Sequence, residues 1–128
     1  MFKSARSWGR SWVQLDRVAI GLSTLCAVHC VATLVLLGVL SSLGHVFTAP
    51  IIHEGGLALA ILVGALALGA GLRRHRLLMP SIVGGTGLFI MAAALLVPHG
   101  VGEAIVTIIG VSLVAAAHFL NMRADCSC

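Results

Sequence analysis

The chain has 128 residues, of which 59% are hydrophobic and only 9% are charged. A water-soluble domain of this size needs a mostly polar surface, and this chain has too few polar residues to provide one. Its formal net charge is +4, but the basic residues lie in short segments between apolar runs. That arrangement argues against nucleic acid as a partner and favours contact with anionic lipid.

Residues 1–15 form the first predicted element, a short interfacial amphipathic helix. Its apolar residues share one face and its basic residues cluster opposite: Phe2, Trp8, Trp12 and Leu15 against Lys3, Arg6 and Arg10. This pattern is typical of a helix that lies in the membrane interface; a disordered basic tail is the alternative. The basic start and following apolar run also resemble a signal sequence. Because that run is long and no small-residue cleavage site follows it, we expect it to be retained as a membrane span.

Four long apolar runs follow, and none of them contains Asp, Glu, Lys or Arg: residues 18–40, 55–72, 77–97 and 104–120. A helix needs about 20 predominantly apolar residues to cross the hydrocarbon core of a bilayer, and each run is close to that length. We therefore predict an all-α membrane protein in which residues 16–121 form four transmembrane helices. Because the connections are short, consecutive helices should pack as antiparallel neighbours in one bundle. Small residues should let these helices approach closely.

The basic residues also predict how the bundle is oriented. All eight Lys and Arg residues precede the first span, lie between the second and third spans, or follow the fourth. The two opposite loops, residues 41–54 and 98–103, contain none. By the positive-inside rule, both the N-terminus and the C-terminus are predicted to be cytoplasmic, in a bacterial inner membrane. Residues 122–128 would then form a cytoplasmic tail that contains cysteine.

The first span carries soft metal ligands on one helical face. Relative to Cys26, Cys30 lies about 40° round the helix and His29 about 60° round on the other side. Ser23 and Thr33 fall in the same stripe and are interpreted as packing residues. Thiolate and imidazole together suit soft and borderline ions such as Hg(II), Cu(I) and Zn(II). A histidine inside a membrane span is costly and indicates a function, whereas cysteine alone is often only a packing residue.

Further candidate ligands lie towards both ends of the predicted bundle. A Cys-x-Cys tail in a reducing compartment favours metal acceptance over a disulfide, and one histidine lies near the cytoplasmic end of the fourth span. Three residues at the outer face are interpreted as an ion capture site. His75, in the basic loop, is interpreted as an ordinary loop residue. The candidate metal ligands are Cys26, His29, Cys30, His118, Cys126 and Cys128, with His53, His99 and Glu103 as the outer capture site.

Several motifs occur in order along residues 16–126. They are Leu25-Cys26-Ala-Val-His29-Cys30, then Arg73-Arg74-His75-Arg76, then Gly102-Glu103, and finally Ala117-His118-Phe-Leu-Asn121-Met-Arg123 with Cys126. On these motifs the chain resembles the MerC-domain membrane proteins, four-span proteins that include mercuric ion transporters. The resemblance implies Hg(II) uptake by exchange between cysteine pairs and delivery to cytosolic thiols. Cys26 and Cys30 would be the membrane pair, and Cys126 and Cys128 the cytosolic pair.

One motif departs from the pattern of the mercury transporters, which carry Cys-x-x-Cys in the first span. Here the motif is Cys-x-x-His-Cys, and the additional imidazole of His29 favours borderline ions such as Zn(II). We therefore predict a passive Hg(II) transporter, with transport or sensing of Zn(II) as the alternative cargo interpretation.

The predicted protein is not an enzyme and has no permanent cofactor. Its partners would be the metal ion, the lipid bilayer and a cytosolic thiol acceptor, and its glycine-rich faces would allow a homo-oligomer. Two other classes stay open. A membrane thiol oxidoreductase is disfavoured because the outer loops contain no cysteine. A metal sensor or accessory subunit that does not transport cannot be separated from a transporter by sequence.

Overall fold

The computed structural model describes the backbone of residues 2–39 and 50–126 and the side chains of residues 12–35 and 50–124. Within the described backbone, four helices account for almost every residue: α1 (Phe2–Val39), α2 (Pro50–His75), α3 (Met79–Ala94) and α4 (Val101–Cys126). The predicted all-α class is confirmed for this part of the chain. Helix α1 runs without a break from the predicted interfacial segment into the first apolar run, and a separate interfacial element stays a prediction.

Three of the helices are long and apolar enough to cross a membrane. These segments are Trp12–Val35 within α1, Pro50–His75, which is all of α2, and Val101–Ala124 within α4. Their sides carry many large apolar side chains that are exposed, including Leu25 at 65% and Ile51 at 76%. Exposed apolar surface on this scale is unfavourable in water but matches hydrocarbon. The chain is therefore a membrane protein with several apolar helices.

Helix α3 is shorter than the third predicted span. The apolar run covers residues 77–97, but the helix has only 16 residues and is about 24 Å long at 1.5 Å per residue. Pro80 lies in its first turn, where the missing N–H is not needed. Beyond the helix, the N–H of Val97 donates to the carbonyl oxygen of Ala94 at 3.0 Å, so the chain turns there. The prediction of four full-length spans is thus confirmed for three helices, whereas α3 is a shorter apolar helix.

Short connections determine how the helices are arranged. Residues 76–78 join α2 to α3, and residues 95–100 join α3 to α4, so these neighbours run antiparallel. Arg76 ends α2 in the left-handed region, with a φ of 53° and its N–H donating to the carbonyl oxygen of Leu72 at 3.0 Å. Helix α4 packs against all three other helices, most extensively against α3 and α1. Side chains from α1 and α2 therefore meet α4 inside the bundle.

Helices α3 and α4 approach each other closely at two glycines. A Cβ atom on Gly87 would lie 2.7 Å from the carbonyl oxygen of Gly110, and one on Gly110 would lie 2.9 Å from that of Gly87. A larger residue at either position would push the helices apart, as expected where small residues form a helix interface in lipid. Gly85, on another side of α3, meets no atom within 4 Å. The predicted role of glycine in close packing therefore holds for some glycines and not for others.

Candidate metal site

The polar stripe predicted on the first span lies on the side of α1 that packs into the bundle. Its members are buried or partly buried: Ser23, Cys26, His29, Cys30 and Thr33. The hydroxyl of Thr33 donates to the carbonyl oxygen of His29 at 2.8 Å within the same helix, which agrees with a packing role. Thr24, outside the stripe, is exposed and donates to the carbonyl oxygen of Ile20 at 2.9 Å.

Cys26 and Cys30 are free thiols one helical turn apart. They face different spaces. Cys26 lines a cavity of about 270 Å³, whereas Cys30 is buried and lines a much smaller cavity of about 20 Å³. Because thiolate is the preferred ligand of soft ions, adjacent thiols can bind one such ion together or pass it from one to the other.

The larger cavity brings together donor groups from three helices. Cys26 and His29 face it from α1, His53 from α2 and His118 from α4. Most of the remaining wall is apolar, with side chains that include Leu22, Ile52, Val63, Met91, Val111 and Val114. One thiol and three imidazoles therefore share a space of low polarity, where a cation would depend on these groups for stabilisation.

At one end of the cavity, four side chains form what we term the histidine cluster: His29, His53, His99 and Glu103. The carboxylate of Glu103 accepts a hydrogen bond from His99 Nδ1 at 2.7 Å and lies 3.7 Å from His53 Nε2. The ring centroid of His53 lies 5.5 Å from that of His29 and 6.2 Å from that of His99. His53, a member of the predicted capture site, lines the cavity of Cys26 as well as that of Cys30 and Glu103.

At the other end, four side chains form what we term the carboxylate network: Asp16, His75, His118 and Asn121. Asp16, His118 and Asn121 are each 0% exposed. Asp16 Oδ1 accepts a hydrogen bond from His118 Nδ1 at 2.7 Å, and Asn121 Nδ2 donates to the two carboxylate oxygens at 3.1 and 2.9 Å. Asn121 Oδ1 lies 3.1 Å from His75 Nε2. The network thus ties the start of the first span to the ends of α2 and α4.

Sequence reasoning identified His118 but missed the residues around it. Asp16 and Asn121 are not among the candidate ligands predicted from the sequence, and His75 is interpreted there as a loop residue. One signal was present, since Asn121 follows His118 by three residues and so shares its side of the helix. The contact to Asp16 depends on how α1 is placed against α4, which the sequence does not reveal.

The candidate ligands occur as adjacent pairs and not as one cage. Among the described side chains, no three His, Cys, Asp or Glu residues are positioned to hold a single metal ion together. His29 lies beside His53, and His99 beside Glu103. Cys128 and the side chain of Cys126 lie outside the described residues, so the proposed cytosolic pair stays a prediction.

The fold and the site define a small helical membrane protein with thiol, imidazole and carboxylate groups in its interior. A family model described as MerC mercury resistance protein matches residues 16–123. The chain therefore belongs to the MerC mercury resistance protein family, which confirms the resemblance found in its motifs. No curated protein and no solved structure matches the chain.

Proposed function

We propose that this protein carries Hg(II) across the bacterial inner membrane into the cytoplasm, by ligand exchange from intramembrane Cys and His residues to cytosolic thiols. The observation that carries the proposal is the shared cavity, where the Cys26 thiol and the imidazoles of His29, His53 and His118 face one space. Membership of the MerC mercury resistance family supports mercury as the cargo. The protein acts without enzymatic chemistry and without a permanent cofactor.

The proposed topology has four spans and both termini in the cytoplasm. The guanidinium of Arg74, near the end of α2, lies over the ring of Trp12 at 5.9 Å, and Asp16 contacts Asn121 near the end of α4. This end of the bundle therefore carries the basic segments, which the positive-inside rule assigns to the cytoplasm. Helix α3 is the third span and is shorter than the other three, and slight bilayer thinning accommodates the difference in length.

In the proposed route, the ion first meets the histidine cluster, where the buried carboxylate of Glu103 attracts a cation. It then passes to Cys26 and Cys30, and two thiolates neutralise a divalent ion in a low-dielectric interior. His118 lies at the cytoplasmic end of the same cavity. Cys126 and Cys128 complete the route as the cytosolic acceptor pair. At each step one ligand is gained before another is lost, so a bare ion never enters the hydrocarbon.

Zn(II) is the second candidate cargo, and the composition of the cavity favours it. Three of the four donor side chains in the cavity are imidazoles, and imidazole is a preferred ligand of Zn(II). A site built for Hg(II) alone would have no need of so many nitrogen ligands.

The test is a paired uptake assay in cells that express the wild type, Cys26→Ser/Cys30→Ser or Thr24→Ala at matched levels. We expect wild-type cells to accumulate Hg(II) and the double variant to fall to the background of cells without the protein. Thr24→Ala is the matched control, because Thr24 is exposed on the same helix and its hydroxyl donates to the backbone carbonyl of Ile20. It should retain wild-type uptake.

Two other outcomes would change the proposal. If only Zn(II) uptake depends on the cysteine pair, the route stands and the cargo is Zn(II). If neither ion depends on the pair, the transport proposal is wrong, and a metal sensor or a thiol oxidoreductase becomes the better interpretation.

A further inference from the structure

His118 has two ring nitrogens in different surroundings. Nδ1 lies 2.7 Å from the Asp16 carboxylate, while Nε2 is buried and has no hydrogen-bond partner among the described residues. The residue is 0% exposed and lines the larger cavity. A carboxylate can only accept, so Nδ1 is the nitrogen that carries the proton and donates. In the neutral ring Nε2 then holds an unshared electron pair.

The partner of His118 is itself held in place. Asn121 Nδ2 donates to both oxygens of Asp16 and also lies 3.3 Å from the carbonyl oxygen of Ala67. Asn121 Oδ1 is engaged by His75 Nε2 at 3.1 Å, which fixes the direction of the amide. These contacts leave the carboxylate little freedom to turn away from the imidazole.

This arrangement is energetically unfavourable as long as no ligand contacts Nε2. Placing a carboxylate and an imidazole inside a membrane bundle requires that every polar atom be satisfied, and a buried nitrogen without a partner is unfavourable. The unshared pair on Nε2 is, however, suited to bind a soft or borderline cation in the cavity. Histidines that bind metals commonly donate their other ring N–H to a carboxylate, which fixes the tautomer and strengthens the ligand.

We propose that His118 binds the cation through Nε2 and that Asp16, held by Asn121, is the positioning residue that keeps the imidazole in its metal-binding tautomer. This rests on the proposed function, because the cation is the transported ion. His118 is thereby the last intramembrane ligand, and the other members of the carboxylate network form the outer sphere of the metal site. Asp16 itself does not touch the ion.

The test uses the purified full-length protein in detergent micelles, with isotope-labelled histidine and Cd(II) as the probe metal. Nuclear magnetic resonance distinguishes protonated from unprotonated ring nitrogens, and the His118 signals are assigned by their loss in His118→Gln. We expect Nδ1 to be protonated without metal. On addition of Cd(II), we expect the Nε2 resonance to shift and to show one-bond coupling to cadmium.

Two variants separate positioning from general destabilisation. Asp16→Asn should weaken Cd(II) binding roughly 10-fold to 100-fold, the usual effect of removing such a partner, and should give a mixture of His118 tautomers. Glu54→Gln, which removes an exposed carboxylate on α2, should change neither quantity. If Asp16→Asn fails to fold, the Cd(II) titration of the wild-type protein tests the proposal by itself. The protonation of Nδ1 and the cadmium coupling at Nε2 are both measured there without a variant.

The outcomes for this inference and for the proposed function are distinct. If Cd(II) binding depends on Cys26 and Cys30 while the His118 resonances do not respond, the inference is overturned and the transport proposal stands. If wild type binds no Cd(II), the inference is also overturned, and the uptake assay decides the transport proposal separately. A His118 ring protonated at Nε2 without metal would contradict the assigned role of Asp16.

Discussion

The carboxylate network and the histidine cluster each surround one buried carboxylate, but they do so in different ways. Asp16 receives three hydrogen bonds of 2.7 to 3.1 Å from two side chains that are 0% exposed. Glu103 receives one of 2.7 Å from His99, whose side chain is 50% exposed, and has His53 at 3.7 Å. Both oxygens of Asp16 are hydrogen-bonded, whereas Glu103 has one contact of hydrogen-bond length among the described residues and one longer contact.

This difference suits the two ends of the proposed transport route. A capture site must exchange ligands with water and release its ion readily, so loosely held and partly exposed imidazoles are an advantage there. A site inside the bundle must hold its ligand in one tautomer, because a misplaced donor in low dielectric has no water to replace it. The variants below test whether the two ends differ in rigidity as the contacts indicate.

The largest effect is expected from removing the carboxylate of the network. Asp16→Ala removes the acceptor of His118 Nδ1 and leaves Asn121 Nδ2 with its longer contact to the carbonyl oxygen of Ala67, so the free energy of unfolding should fall by on the order of 3 kcal/mol. Denaturation of the purified protein in micelles measures it. A loss below about 1 kcal/mol would show that water or the lipid headgroups replace the carboxylate, and the network would then not be rigid.

A smaller effect is expected from substituting Gly71, whose missing side chain leaves space for Asn121 of the network. A Cβ atom on Gly71 would overlap Asn121 Oδ1 and lie 2.8 Å from its Cγ, so Gly71→Ala must displace the amide from Asp16. We expect a loss of about 1 to 2 kcal/mol in the free energy of unfolding. The control is Gly69→Ala on the same helix, where a Cβ meets nothing within 4 Å.

Gly69→Ala should be neutral or slightly stabilising, because alanine favours helix over glycine by up to about 1 kcal/mol. Equal losses in the two variants would mean that Gly71 matters only for helix packing in general. They would also show that Asn121 tolerates displacement, and the contrast between the two ends would weaken.

Much of the fold could be predicted from the sequence because lipid imposes simple rules. Apolar runs of about 20 residues predict spans, and three helices agree with them. The length of α3 was overestimated, since apolar composition continues through residues 95–97 while the backbone already turns there. Composition shows which residues tolerate hydrocarbon, but it does not show where a helix ends.

The candidate site could be predicted only within single helices. Helical periodicity placed Cys26, His29 and Cys30 on one face, and the structure places them on the side that packs into the bundle. The pairing of Asp16 with His118 spans 102 positions in the chain, and no local pattern encodes such a contact. Sequence therefore identified the donor groups on each helix but not the partners that orient them.

The smallest effect is expected at the histidine cluster and gives the most direct comparison. Glu103→Gln and Asp16→Asn are the same chemical change, a carboxylate replaced by an amide of similar shape. Because the partner of Glu103 is half exposed, Glu103→Gln should lower the free energy of unfolding by only about 0.5 kcal/mol, clearly less than Asp16→Asn. Both are measured by denaturation in the same micelles. If the two losses are equal, or Glu103→Gln costs more, the capture end is as rigidly built as the network, and its proposed freedom to exchange ligands is lost.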